Sequence, residues 1–147
     1  MQGKFVSLSF ESAEVFLNGL DTVYSTDENK KLIIFVDSLS CTHCFLNHMI
    51  VYYDINDSLM NRHGSLVIVL QPQYGMTDEI RKRIKMNKYP FWCIIDKNRE
   101  FTHKNPNIPD NHLLHSFMLD KDDHIILVGD PSVNPKIKEL LIKELAI

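Results

Sequence analysis

Apolar residues along this chain fall into two kinds of pattern, short unbroken runs and longer stretches with helical spacing. Leu32-Ile33-Ile34-Phe35-Val36 is the strongest run, bounded by Lys31 and Asp37. Residues 65–70 and Phe91-Trp92-Cys93-Ile94-Ile95 are two more. All are short and rich in β-branched or aromatic residues, so each predicts a strand buried on both faces. Residues 45–60 instead space their apolar groups as one helix does, and Arg62-His63-Gly64 closes it as a turn. Thr77-Asp78-Glu79-Ile80 opens a second, basic helix to about Met86, stopped before Tyr89-Pro90, since a residue preceding proline avoids the helical region.

The two ends complete the order. Residues 4–10 alternate Phe5, Leu8 and Phe10 with Ser7 and Ser9, which predicts a strand. Ser12 is placed to cap a short helix over 13–20, with Gly19 and the stretch 25–30 as punctuation before Leu32. Residues 97–111 are polar, contain Pro106 and Pro109, and predict a loop with a short helical turn. Residues 115–119 and 124–128 flank the turn Asp120–Asp123 as a β-hairpin, and Asn134-Pro135 starts a helix running to about Leu145, with Asn as cap and Pro at the first helical position. Strands alternating with helices, then a hairpin, predict a mixed sheet between helical layers. The expected fold class is α/β, a three-layer sandwich; no repeat or linker divides residues 1–147, which read as one domain.

Bulk properties narrow the function. The 147 residues can bury a core without staples. A net charge of -3 and pI near 6.1 give no reason to expect nucleic acid or an anionic membrane surface as partner. No segment has the eighteen or more consecutive apolar residues of a transmembrane span. Residues 1–10 lack the long apolar core of a signal peptide. Three cysteines do not make a disulfide framework, and Cys93, inside an apolar run, reads as a small buried hydrophobe.

The candidate chemistry is Cys41-Thr42-His43-Cys44, where the strongest strand gives way to a helix. Unpaired N–H groups at a helix N-terminus favour thiolate over thiol. Cys41 is therefore the expected nucleophile and Cys44, one turn on, the resolving thiol. His43 between them can stabilise the Cys41 thiolate and make the disulfide more oxidising. Such a redox-active disulfide needs no other cofactor. A rival reading takes Cys41, Cys44 and His48 as a soft site for Cu(I) or Zn(II), His48 lying one turn beyond Cys44. A third is a static bridge, or idle thiols on a binding module. Arg81-Lys82-Arg83, Lys85 and Lys88 read as a solvated helix face. Asp120 to Asp123 are explained by the turn, His63, His103, His112 and His124 by surface positions, and Met49, Tyr52 and Tyr53 by packing. No phosphate loop, Ser-His-Asp spacing or dinucleotide fingerprint is present.

From about Lys31 to Ile147 the order strand, CxxC, helix, β–α–β, β–β–α resembles the thioredoxin fold. The segment Leu114-His115-Ser116-Phe117-Met118-Leu119-Asp120 through Gly129 resembles the hairpin of TlpA/ResA-like thioredoxins, and Tyr89-Pro90-Phe91 with Asp96 resembles their additional strand. The resemblance implies that Leu114 occupies the cis-proline position and that His115 faces the cysteines. Thr42, Leu114 and His115 would then contact substrate, and the partner would be a protein thiol or disulfide. Ser40 replaces the usual Trp before the first Cys. Phe35 aligns with a buried acid of the family, while Asp37, two residues on, keeps the same strand parity. His43 immediately before the second Cys is similar to protein disulfide isomerases and DsbA-like oxidants. His115-Ser116 is similar to the distant His of Sco-type copper chaperones, which would add His115 to the metal set. The family further implies a bacterial protein of the periplasm or cell envelope, with the cytoplasm left open.

Overall fold

The computed structural model describes residues 1–25 and 30–146. Four of the residues expected to punctuate 25–30 lie outside the described residues. The strands are β1 (Glu14–Leu17), β2 (Leu20–Thr22), β3 (Lys31–Val36), β4 (Ser65–Leu70), β5 (Trp92–Ile95), β6 (Ser116–Leu119) and β7 (Ile125–Val128). The helices are α1 (Thr42–Leu46), α2 (Val51–Met60), α3 (Thr77–Asn87), α4 (Glu100–Lys104) and α5 (Pro135–Leu145), with a 3₁₀ turn at His112–Leu114. One sheet runs β2-β1-β5-β4-β3-β6-β7. Its centre is parallel, β4 pairing with β3 and β5, and the other pairings are antiparallel.

Strand parity sorts the core into two layers. Leu32, Ile34 and Val36 of β3 and Leu66, Ile68 and Leu70 of β4 pack with Ile55 and Leu59 of α2, Ile80 and Ile84 of α3, and Leu141 and Leu145 of α5. Ile33, Phe35, Val67 and Val69 pack on the opposite face with Phe101 of α4, Phe117 and Val6. Continuous apolar runs are what two covered faces require, and each fully buried side chain of this kind contributes roughly 1.5–3 kcal/mol. The mixed three-layer α/β architecture expected from the pattern is present, and β4, α3, the closing hairpin and α5 lie at their predicted positions. Asn134 caps α5 as predicted, its Oδ1 accepting from the N–H groups of Lys136 and Ile137.

Three expectations are corrected. Residues 13–20 form no helix but the hairpin β1–β2, whose loop is Asn18-Gly19. Both residues take positive φ, 56° and 77°, the geometry of a type I′ turn that Asn-Gly favours and that matches strand twist. Residues 4–10 do not form a strand; Phe5 makes a single bridge to His124, and Val6, Leu8 and Phe10 cover the second face of the sheet. The helix over 45–60 is two helices, because turns at 47–50 replace regular helical bonding with i→i−3 bonds such as His48 N–H to Phe45 O. Within residues 97–111 the short helical turn is α4, held by Asp96, which accepts from the N–H groups of Glu100 and Phe101. No helix among the described residues is long and apolar enough to cross a membrane.

Candidate active site

The β3 strand ends at Val36, and the next residue shapes the turn. Asp37 Oδ1 accepts from Leu39 N–H at 3.0 Å, Ser40 N–H at 3.1 Å and Ser40 Oγ at 3.1 Å, an Asx turn in which a side chain stands in for backbone. This turn delivers Cys41 to the N-cap of α1, with φ −80° and ψ 96°. Cys41 and Cys44 are disulfide-bonded with Cα atoms 5.2 Å apart, inside the range the bond requires. Both residues are exposed. Cys41 Sγ also accepts from Cys44 N–H at 3.1 Å.

The neighbours of the bridge separate into buried and exposed groups. Thr42 turns inward, and its Oγ1 has no hydrogen-bond partner among the described residues. His43 is about half exposed and engages α3. Its Nδ1 is 3.1 Å from Arg83 Nη1 and 3.7 Å from Glu79 Oε1. A guanidinium only donates, so Nδ1 accepts and the proton sits on Nε2. Arg83 also donates to His43 O at 3.3 Å and to Asn47 Oδ1 at 2.9 Å.

His115 lies behind this surface, 3% exposed. Its ring packs on Phe35 with centroids 4.8 Å apart, and its carbonyl accepts from Phe35 N–H. Nε2 is 2.6 Å from Pro109 O, and a carbonyl can only accept, so Nε2 carries a proton. Nδ1 faces Asp37 Oδ2 at 3.8 Å and makes no hydrogen bond among the described residues. Phe35 and Asp37 thus meet the same histidine, as their shared strand parity implies. Leu114, half-buried, ends the 3₁₀ turn that leads into β6. The described backbone has no cis peptide bond.

The rival metal set is not assembled. His48 lies in the turn after α1, exposed, and not on a helical face shared with Cys44. Among the described residues no three His, Cys, Asp or Glu side chains are grouped so that they could hold a metal ion. Cys93 is the free cysteine, buried in β5, where burial pushes its thiol pKa far up.

Other sequence readings meet their surroundings here. Tyr52 is buried and donates to Asp130 Oδ2 at 2.7 Å, its pKa pushed up by burial and by the neighbouring carboxylate. The basic helix is not simply a solvated face. Arg81 grips Glu14 of β1 through Nε and Nη2, and Arg83 grips α1. The spacing of α3 carried no signal for either contact, since both partners are distant in sequence. The Asx turn did have one: Asp37 followed three residues later by Ser40.

Neither a protein-family model nor a curated protein sequence matches the chain. Solved structures do match it in fold. The thioredoxin domain of a thiol-disulfide oxidoreductase from Bacteroides vulgatus superposes with a TM-score of 0.60 at 10% identity, covering 95% of this chain and 97% of that one. Mycobacterium tuberculosis AhpC gives 0.63 at 12% identity, with 99% and 91% covered. A putative thiol:disulfide interchange protein DsbE from Chlorobium tepidum gives 0.59 at 14% identity, with 80% and 81% covered. At these identities the likeness establishes a thioredoxin-like fold.

Proposed function

We propose that this protein is a thiol–disulfide oxidoreductase acting on the thiols or disulfides of other proteins. The observation that carries the reading is the exposed Cys41–Cys44 bridge at the start of α1, with Cys41 Sγ already accepting an N–H bond. That bond strengthens when the sulfur becomes a thiolate. Thioredoxin-fold neighbours named for thiol–disulfide exchange support it.

In the reducing direction, the Cys41 thiolate attacks a substrate disulfide and forms a mixed disulfide, expelling one substrate thiolate, which takes a proton. The Cys44 thiol then loses its proton and attacks Cys41 Sγ. The intramolecular bridge closes and the second substrate thiolate leaves. Two electrons pass to the substrate and none are lost. The oxidising direction is the reverse, and the partner's potential sets which one runs. Of the three residues expected at the substrate, Leu114, half-buried, is proposed to border it; Thr42 and His115 are buried and are proposed to support the site from beneath instead. With His43 beside Cys44, we place the potential between about −270 mV and about −120 mV, the range from thioredoxin to DsbA. Residues 1–147 are proposed to act as one domain. A TlpA/ResA-like bacterial protein of the cell envelope is the finer reading, supported by the hairpin resemblance and by a DsbE neighbour.

The test is a titration of purified protein through glutathione buffers, with and without chelator, counting alkylated thiols by mass. A reversible two-electron transition within that range supports the proposal. A pair that stays oxidised below about −300 mV is a structural bridge instead. Thiols that become alkylatable only with chelator would favour the metal reading.

A further inference from the structure

One peptide unit at the site is bonded at both ends. The amide joining His43 to Cys44 donates its N–H to Cys41 Sγ at 3.1 Å. Its carbonyl oxygen accepts from Arg83 Nη1 at 3.3 Å and from Asn47 N–H at 3.2 Å. Arg83 is anchored there by Asn47 Oδ1 at 2.9 Å, and its side chain also meets His43 Nδ1. The titratable and charged groups that face this point are Arg83 and Glu79 of α3, His43 of α1 and Tyr89, whose hydroxyl also meets Arg83.

We propose that Arg83 is a positioning residue for the disulfide centre, acting through the His43–Cys44 peptide to favour the reduced form of Cys41. The physical cause is polarisation along a chain of hydrogen bonds. A cation at the carbonyl oxygen draws charge through the amide and makes its N–H a stronger donor. In the oxidised protein that N–H meets a neutral sulfur, a weak acceptor. After reduction it meets a thiolate, and the bond becomes charge-assisted. Arg83 therefore stabilises the reduced state more than the oxidised one, which raises the reduction potential. Arginine stays protonated at every working pH, so the bias is permanent.

With glutathione as reductant the step balances. Two glutathione thiols become glutathione disulfide, and their two electrons break the Cys41–Cys44 bond. Cys44 takes one of the two protons released, Cys41 remains a thiolate, and the other proton goes to solvent. The inference rests on the redox reading above.

The experiment equilibrates wild type, Arg83→Met, Arg83→Lys, Asn47→Ala and Lys82→Met with glutathione buffers, and records the pH profile of Cys41 alkylation in each reduced protein. For Arg83→Met the equilibrium shifts toward the disulfide by about threefold to tenfold, which is about 15–30 mV for a two-electron couple, and the alkylation midpoint moves to higher pH. Arg83→Lys recovers part of the shift. Lys82→Met, an exposed cation on the same helix, leaves both readouts at wild type. Asn47→Ala frees the guanidinium without removing it, shifts the equilibrium the same way by a smaller factor, and decides the matter should Arg83→Met not fold. Wild-type values in Arg83→Met, or an equal shift in Lys82→Met, overturn the proposal while the redox reading stands. A wild type that does not cycle overturns the redox reading itself, and the role of Arg83 with it.

Discussion

His115 and Asp37 meet across the end of β3, with Nδ1 of the ring 3.8 Å from Oδ2 of the carboxylate. Each is tied down by its other atoms, His115 through Pro109 O and Asp37 through the turn at Leu39 and Ser40. The pair joins the buried layer beneath the sheet end to the turn that carries Cys41. The two residues therefore have separable effects.

His115→Ala removes a buried ring from Phe35 and leaves the Pro109 carbonyl unmet. The expected loss is about 2–4 kcal/mol in a denaturant melt. His115→Phe keeps the volume and loses the hydrogen bond, costing about 1–2 kcal/mol. Equal losses for the two would contradict the packing role.

Asp37→Ala removes the acceptor for three donors and loosens the turn before Cys41, at a cost of about 1–2 kcal/mol. Asp37→Asn keeps an oxygen in that place and is expected to melt within about 0.5 kcal/mol of wild type. Should Asn prove as costly as Ala, the carboxylate charge rather than the turn is what matters.

Cys93 is expected to be silent in the native protein. Burial in β5 pushes its pKa up and withholds its sulfur from reagents. Brief iodoacetamide treatment of reduced native protein should add two groups, at Cys41 and Cys44, and a third only in denaturant. Three groups added without denaturant would mean that β5 opens readily.

Glu100 links stability to acid. Burial raises its pKa, but bonds from Ser12 Oγ and the N–H groups of Glu11 and Ser12, with help from Lys104, outweigh it and hold the value at about 2, against an ordinary 4.5. A depressed folded pKa contributes stability above the unfolded value, and that contribution is lost as pH falls through the folded one. The difference in stability between wild type and Glu100→Gln should hold near pH 6 and shrink between about pH 4.5 and 2. A gap that stays constant down to pH 2 would refute the assignment.

Cys44→Ser is expected to leave Cys41 as the attacking sulfur without a resolving partner. Incubated with a disulfide-bearing protein, it should accumulate a mixed disulfide, mapped to Cys41 by mass spectrometry. The reciprocal Cys41→Ser should trap far less. Equal trapping by both variants would remove the assigned order of attack.

Local pattern sufficed wherever one short segment holds all the relevant information. The apolar runs of β3, β4 and β5, the Asn134-Pro135 start of α5 and the placement of Cys41 after a strand were legible because burial, capping and φ preferences act over a few residues. The Asn18-Gly19 hairpin was legible too, yet the spacing of Val15, Phe16 and Leu20 fits a short helix equally well. Pairing of β1 with β5, which sets Phe16 opposite Cys93, resolves that ambiguity. Long-range contacts decided the rest. Arg83 bonds to His43 and Asn47 across 40 and 36 residues, and His115 reaches Asp37 across 78. No periodicity encodes such partners. They exist because the parallel strands β3 and β4 end, and the antiparallel β6 begins, at the same end of the sheet, where α1, α3 and the start of β6 come within hydrogen-bonding reach.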